Sequence, residues 1–307
     1  MINEPITEYK VVKEILDQCA KATQEVGQPY TVTTFDLGVI MKAMPIIWNQ
    51  PNEYSQHIIL IGAFHTIMSY LKMIGHKMAG SGYAEIIIEA NLVTSGCLNG
   101  VLSGKSYAKS LRCLKAVSEC FERLLFVQFV DQMQDNSELS LEKIDELIQN
   151  SSRETLNTAL EDQSFIALLE KYEEFENKVR KGLLGKTAMF WLSFIDHARR
   201  VFLLILACKT NNFPLFHRCM RDMTDMFFSY GGHNYARFLS WFDVYLTNIE
   251  ASHPGSTKLL ENGAISVARS LIPENLCMVD KTMEETFMKF SKSKGGEYYD
   301  VTISILC

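Results

Sequence analysis

The sequence has no C-x-x-C pair, no apolar run long enough to cross a bilayer and no complete glycine-based nucleotide loop. Its eight cysteines in 307 residues are too sparse for a disulfide scaffold, and without C-x-x-C spacing zinc ribbons and thioredoxin-like redox sites lose their support. They read as buried free thiols. Cys113 and Cys120 fall on one face of a helical pattern with Leu114, Val117, Phe121 and Leu124, which favours core packing over metal binding. The longest greasy stretch, VFLLILAC at 201–208, is far below the roughly 20 residues of a membrane helix. The opening MINEPITEYK is polar and acidic, unlike a signal or transit peptide. No membrane partner and a nuclear or cytoplasmic location are expected. SGKS at 103–106 fails as a P-loop because Gly100 stands four residues before Gly104 instead of five. H-E-x-x-H, G-x-S-x-G and G-x-G-x-x-G are also absent, so metalloprotease, α/β-hydrolase and dinucleotide readings are unsupported.

What remains is an ordinary globular composition, 47% apolar and 21% charged. The net charge of −6 argues at first against nucleic acid, but residues 131–180 hold 13 acidic against 5 basic side chains, which leaves about +2 for the rest.

Hydrophobic period organises the chain. Val12, Ile15, Leu16 and Cys19 predict a helix over 7–26, stopped by Gly27 and Pro29. YTVTTF reads as a strand, and Leu37, Ile40, Met41, Met44 and Trp48 begin a helix straight after Asp36, with Pro45 expected to kink it. HIILIGAF at 57–64 reads as a strand buried on both faces, followed by His65 and a helix through Ile67, Leu71, Ile74 and Met78. Two parallel strands joined in this way would bring Asp36 and His65 to the carboxyl edge of the sheet, the usual place for a site in open α/β folds. After Gly80 the pattern is helical at 107–130, 139–181 in pieces, 187–209, 214–229, 234–250 and 256–271. The expected fold is therefore mainly α with a small α/β part, whose two strands make an incomplete sheet.

The chemically suggestive residues are Asp36, His65, Asp280 and Glu284. Carboxylates converging from separate elements hold divalent ions in nucleases and transposases. Each residue has a plainer reading: Asp36 and Asp280 as helix caps, Glu284 as a solvated side chain, His65 as a packed imidazole. In HNYARFLSWF at 233–242, His233 or Asn234 is expected to cap a helix that buries Tyr235, Phe238 and Phe242.

TTFDLGVIMKA, LIGAFHTIMSYLKMIGHKMAGSGYAEII, HNYARFLSWF, SHPGSTKLLENGAISVARS and MEETFMKFSKSKGG together resemble a transposon-derived domain of unknown function that recurs in many copies in animal and fungal genomes. The family's recurring features fall on Asp36, His65 with Met68, His233 with Tyr235, and Glu284 with Lys292, Gly295 and Gly296. The resemblance implies a ribonuclease H-like transposase core with a helical insertion, Asp36 as its second acid and Glu284 as its third, Mg²⁺ or Mn²⁺ as cofactor and DNA as partner. The first acid has no counterpart before Tyr30, and EYYDVTISILC after Gly296 departs from the family pattern.

The division implied is a partial α/β core at 1–80, a helical insertion at 81–275, a returning C-terminal helix at 276–296 and a tail at 297–307. The function expected is that of a truncated, metal-dependent nuclease relative, inactive alone. Asp36, Glu284 and His65 are its catalytic candidates, and Asp36, Glu284 and Asp280 its metal candidates. The alternative is a non-catalytic helical scaffold that binds a protein partner through the insertion.

Overall fold

The computed structural model describes residues 8–135, 144–146, 149, 160–268 and 275–288. The long elements are α1 (Tyr9–Glu25), β1 (Thr31–Phe35), α2 (Leu37–Asn49), the short α3 (Pro51–Tyr54), β2 (His57–Ile61), α4 (Ala63–Lys77), α5 (Tyr83–Glu89), α6 (Leu98–Leu102) and α7 (Tyr107–Asp135). They continue with α8 (Gln163–Arg180), α9 (Lys186–Lys209), α10 (Phe213–Asp222), α11 (Thr224–Ser229), α12 (His233–Thr247), α13 (Ile249–Ser252) and α14 (Ser256–Glu261). Strands β3 (Ser266–Ala268) and β4 (Leu276–Met278) follow, then α15 (Val279–Met283) and a π-helical turn at Glu284–Met288. The fold is mainly helical with a small parallel sheet, as the sequence pattern implies. Among the described residues no helix is long and apolar enough to cross a membrane.

The chain divides into two compact units, one made of Met1–Ala84, Thr94–Ser110 and Arg200–Cys307, the other of Glu85–Val93 and Leu111–Arg199. In the first unit β1 and β2 run parallel, with Thr31 opposite His57 and Phe35 opposite Ile61. All five residues of β2 are buried, which explains its unbroken apolar run. Val12, Leu16, Ile40, Ala43, Ile67 and Tyr70 from α1, α2 and α4 are almost wholly buried in this unit's core. Helix α2 continues through Pro45, and the N–H that proline lacks is the one that would have bonded the Met41 carbonyl. Two glycines allow backbone to meet backbone: a Cβ on Gly75 would stand 2.1 Å from the Leu102 carbonyl oxygen, and one on Gly104 would stand 2.1 Å from that of Met68.

Several boundaries differ from the periodic pattern. The run expected as one helix over 256–271 stops at Glu261, turns at Gly263 with φ +152° and becomes β3, while 269–271 lie outside the described residues. β3 pairs antiparallel with β4, so 276–278, expected as helix, is strand. Apolar runs of three residues are too short to show a period. The helix expected over 214–229 is broken at Met223 into α10 and α11. Of the pieces expected across 139–181, α8 is described, whereas 150–159 fall outside.

The second unit has its own core, in which Phe129, Met133, Phe165, Leu168, Phe175, Val179, Leu192 and Ile195 come together. Beside it Glu176, only 8% exposed, accepts from Arg180 at 2.9 Å and from Arg199 at 2.8 Å. Arg199 also meets Glu122 at 2.8 Å, and Arg180 meets Asp196 at 2.9 Å. Glu176 thus belongs to a shared ion-pair network, although it lies in the acidic stretch at 131–180. Cys113 is buried as expected but Cys120 is exposed, so the two thiols do not share an environment.

Candidate functional site

The carboxyl ends of β1 and β2 place two polar residues side by side in sequence logic. Asp36 follows Phe35, and its side chain accepts from the Val39 amide at 2.8 Å, capping α2. After β2 the chain turns at Gly62, the N-cap residue of α4, which has no side chain to offer that helix. The cap comes instead from Asp280. One of its oxygens accepts from the Phe64 amide at 3.1 Å, and the other accepts from the His65 amide at 3.0 Å. These are the second and third helical amides, the ones a local capping side chain would satisfy. Gly62 is required by this arrangement, because a Cβ there would stand 2.2 Å from an Asp280 oxygen.

Asp280 also holds the histidine. The His65 Nδ1 lies 3.1 Å from Asp280 Oδ2, so the neutral ring donates from Nδ1 and leaves Nε2 free to accept. Nε2 in turn faces Glu284 Oε1 at 3.9 Å, beyond hydrogen-bond range but within ion-pair range. The hydrogen bond that the His65 ring donates to Asp280 raises the His65 pKa above its ordinary value. Burial opposes the rise, and the charges of Asp280, Asp36 and Glu284 add to it. The Tyr235 hydroxyl donates to the His65 carbonyl at 3.3 Å, and its ring stacks on Phe227 at 4.8 Å. Phe64 packs edge-on to His65 and to Tyr107, and the Lys281 ammonium lies 5.6 Å from the Tyr107 ring centre. Burial pushes the Tyr107 phenol far up, so it stays protonated.

Of the residues singled out in the sequence, His65, Asp280 and Glu284 come into direct contact range, and Asp36 lies close enough for its charge to act on the imidazole. Asp280 is a cap, although for α4 and not for its own helix, where it sits inside the first turn. Glu284 opens the π-helical turn with its side chain 36% exposed. Neither His233 nor Asn234 caps α12, whose N-cap position is Gly232. Within α12, Phe238 and Phe242 are buried and Tyr235 is half-buried. Lys292, Gly295 and Gly296 lie outside the described residues. Gly62 went unnoticed in the sequence. A glycine closing an apolar strand just before a helix is the signal that could have marked a close approach.

The divalent ion implied by the resemblance does not fit these residues as they stand. Among the described residues no group of three or more His, Cys, Asp or Glu side chains is arranged to hold a metal ion. Asp280 uses one oxygen on an amide and the other on an amide and the imidazole. What the arrangement offers chemically is an oriented imidazole with a raised proton affinity, in the geometry that suits proton transfer.

A family model described as a domain of unknown function (DUF8702) matches residues 1–304. No curated protein and no solved structure matches the chain.

Proposed function

The chain belongs to the DUF8702 family, and from that premise we propose that it is a ribonuclease H-like, transposase-related protein that engages DNA without cutting it by itself. The observation that carries this reading is the meeting of His65, Asp280 and Glu284, with Asp36 in electrostatic range, at the carboxyl edge of a parallel sheet. That edge is where open α/β folds keep their sites. The absence of cleavage follows from how the acids are used: Asp36 caps α2, and Asp280 caps α4 and orients His65. Mg²⁺ and Mn²⁺ have no three-ligand site to enter among the described residues.

The test combines DNA binding with a nicking assay on supercoiled plasmid in Mg²⁺ or Mn²⁺. The expected result is salt-sensitive binding that a chelator leaves unchanged, no nicking, and no rise in thermal stability on metal addition. Metal-dependent nicking abolished by Asp36→Ala would overturn the non-cleaving part, and failure to bind DNA in any form would overturn the whole reading. A helical interaction protein is the second reading. It is favoured by Leu124 and Val127, 59% and 56% exposed on α7, and its partner would be a protein recognised through the second unit.

A further inference from the structure

The amino edge of the parallel sheet, at the other end of the strands from His65, gathers two buried histidines. His57 opens β2 across from Thr31 and is only 4% exposed. Its Nε2 donates to the Leu16 carbonyl of α1 at 3.2 Å, while its Nδ1 is buried with no partner. His253, 8% exposed, follows α13. Its Nδ1 lies 2.8 Å from the Ser252 hydroxyl, and its Nε2 is likewise buried and unpartnered. Two tyrosines tie these rings to the strands. Tyr30, just before β1, stands edge-on to His253 at 5.2 Å and donates its hydroxyl to the Pro254 carbonyl at 2.9 Å. Tyr54 stands edge-on to His57 at 5.2 Å and donates to Asp17 of α1 at 2.5 Å. The turn into β2 touches both histidines, the Tyr54 carbonyl acting on His57 and the Ser55 carbonyl on His253, and its Gln56 carbonyl accepts from the Thr31 amide at 2.9 Å.

A buried polar atom without a partner is uncommon enough to need a reason. Here it means that each site is built for a neutral ring, because an imidazolium would add a charge and a second N–H where neither is solvated. Burial lowers the pKa of both rings. At His57 the Leu16 and Tyr54 carbonyls and the charge of Asp17 oppose burial, at His253 the Ser55 carbonyl does, and burial wins at each. Neighbouring charges are engaged elsewhere: Lys13 meets Glu53 at 3.6 Å, and Glu250 accepts from the Gly255 and Thr257 amides.

We propose that His57 and His253 form an acid-triggered latch on the amino edge of the sheet, in which protonation of both rings releases α1 and the 252–256 turn from the entry to β2. Protonation of buried histidines is a general way for pH to open a packed contact. The sign follows from where the protons go. A ring whose folded pKa lies below the ordinary 6.5 takes up its proton on opening, so the closed form is fully favoured above 6.5 and loses ground as pH falls toward the folded values. Both rings bear on one turn, so its opening takes up two protons. The latch goes beyond the DNA reading above and uses none of the residues on which that reading rests.

The experiment is amide hydrogen exchange on the full chain from about pH 7 to about pH 5, corrected for the intrinsic exchange rate. It compares the native chain with His57→Gln, His253→Asn and the double variant. Glutamine keeps a donor for the Leu16 carbonyl and asparagine a partner for the Ser252 hydroxyl, but neither takes up a proton. Opening of α1 and of the Thr31 amide rises as pH falls, by up to about tenfold per pH unit for each proton taken up. On a logarithmic scale the native response is about twice as steep as that of either single variant, and the double variant is flat. Meanwhile α8 of the second unit stays protected. An equal pH response in the native chain and the double variant would overturn the proposal, as would equal loss of protection in α8, which marks global unfolding. Where a variant does not fold, the native chain decides by itself: NMR titration should place both rings below 6.5 with exchange at Thr31 rising over the same range, and either ring titrating at or above that value would overturn the latch.

Discussion

Replacing Asp280 by alanine removes one carboxylate and three hydrogen bonds at once, two from the Phe64 and His65 amides and one from the His65 ring. Loss of a helix cap costs about 0.5 to 2 kcal/mol, and a hydrogen bond to a charged group contributes about 1.5 to 3 kcal/mol. The bonds share one carboxylate, so the two figures do not simply add, and His65, 30% exposed, is partly screened by water. A total near 2 to 4 kcal/mol is expected on these grounds. Asp280→Asn keeps an acceptor but no charge and should lose about half as much. Because the chain forms two compact units, a single unfolding midpoint does not isolate the effect, and amide exchange in the first turn of α4 does. Exchange there should speed up in Asp280→Ala while α8 of the second unit stays protected. Unchanged exchange at Phe64 and His65 would refute the capping argument.

Other expectations follow from the same geometry. Gly62→Ala, whose Cβ would stand 2.2 Å from the Asp280 carboxylate, should destabilise by about 1 to 3 kcal/mol. Combined with Asp280→Ala it should cost less than the sum in urea melts, since both changes break one contact. The His65 pKa is raised in the fold, so its stabilisation is complete below histidine's ordinary 6.5 and fades as pH rises through the folded-state value. Burial lowers His57 and His253, so these two withdraw stability as pH falls below 6.5. Proton NMR should therefore show the His65 ring titrating at a higher pH than the other two, and the reverse order would contradict the structure. Glu176→Ala should destabilise the second unit by about 3 kcal/mol, the low end for breaking a buried pair, because Arg199 and Arg180 keep Glu122 and Asp196. Urea unfolding followed by Trp191 fluorescence reads that loss.

Strong periodicity made most of the architecture legible before any coordinates. HIILIGAF could be read as a buried strand because four consecutive apolar side chains, Ile58 to Ile61, fit no amphipathic surface, and Asp36 as a boundary because the period changes there. Short elements carry no such signal. β3 and β4, three residues each, were hidden inside runs that resemble helix, and the break at Met223 leaves the apolar period intact. The site was half visible. Asp36, His65, Asp280 and Glu284 are conspicuous as residue types, but the partner of α4's uncapped amides lies 216 residues away from Phe64, and no local pattern encodes a contact of that range. Gly62 makes sense only once the carboxylate that fills its space is known.

That separation also sets an order on folding. During synthesis the amino-terminal helices and both parallel strands emerge long before Asp280 does, so the start of α4 must wait, its amides bonded to water, until the chain has grown 216 residues beyond Phe64. The intervening unit meanwhile has all its stretches in hand and is free to consolidate first. Asp280, arriving late, closes the earlier unit like a clasp, and a nascent chain stalled before it would leave that half open.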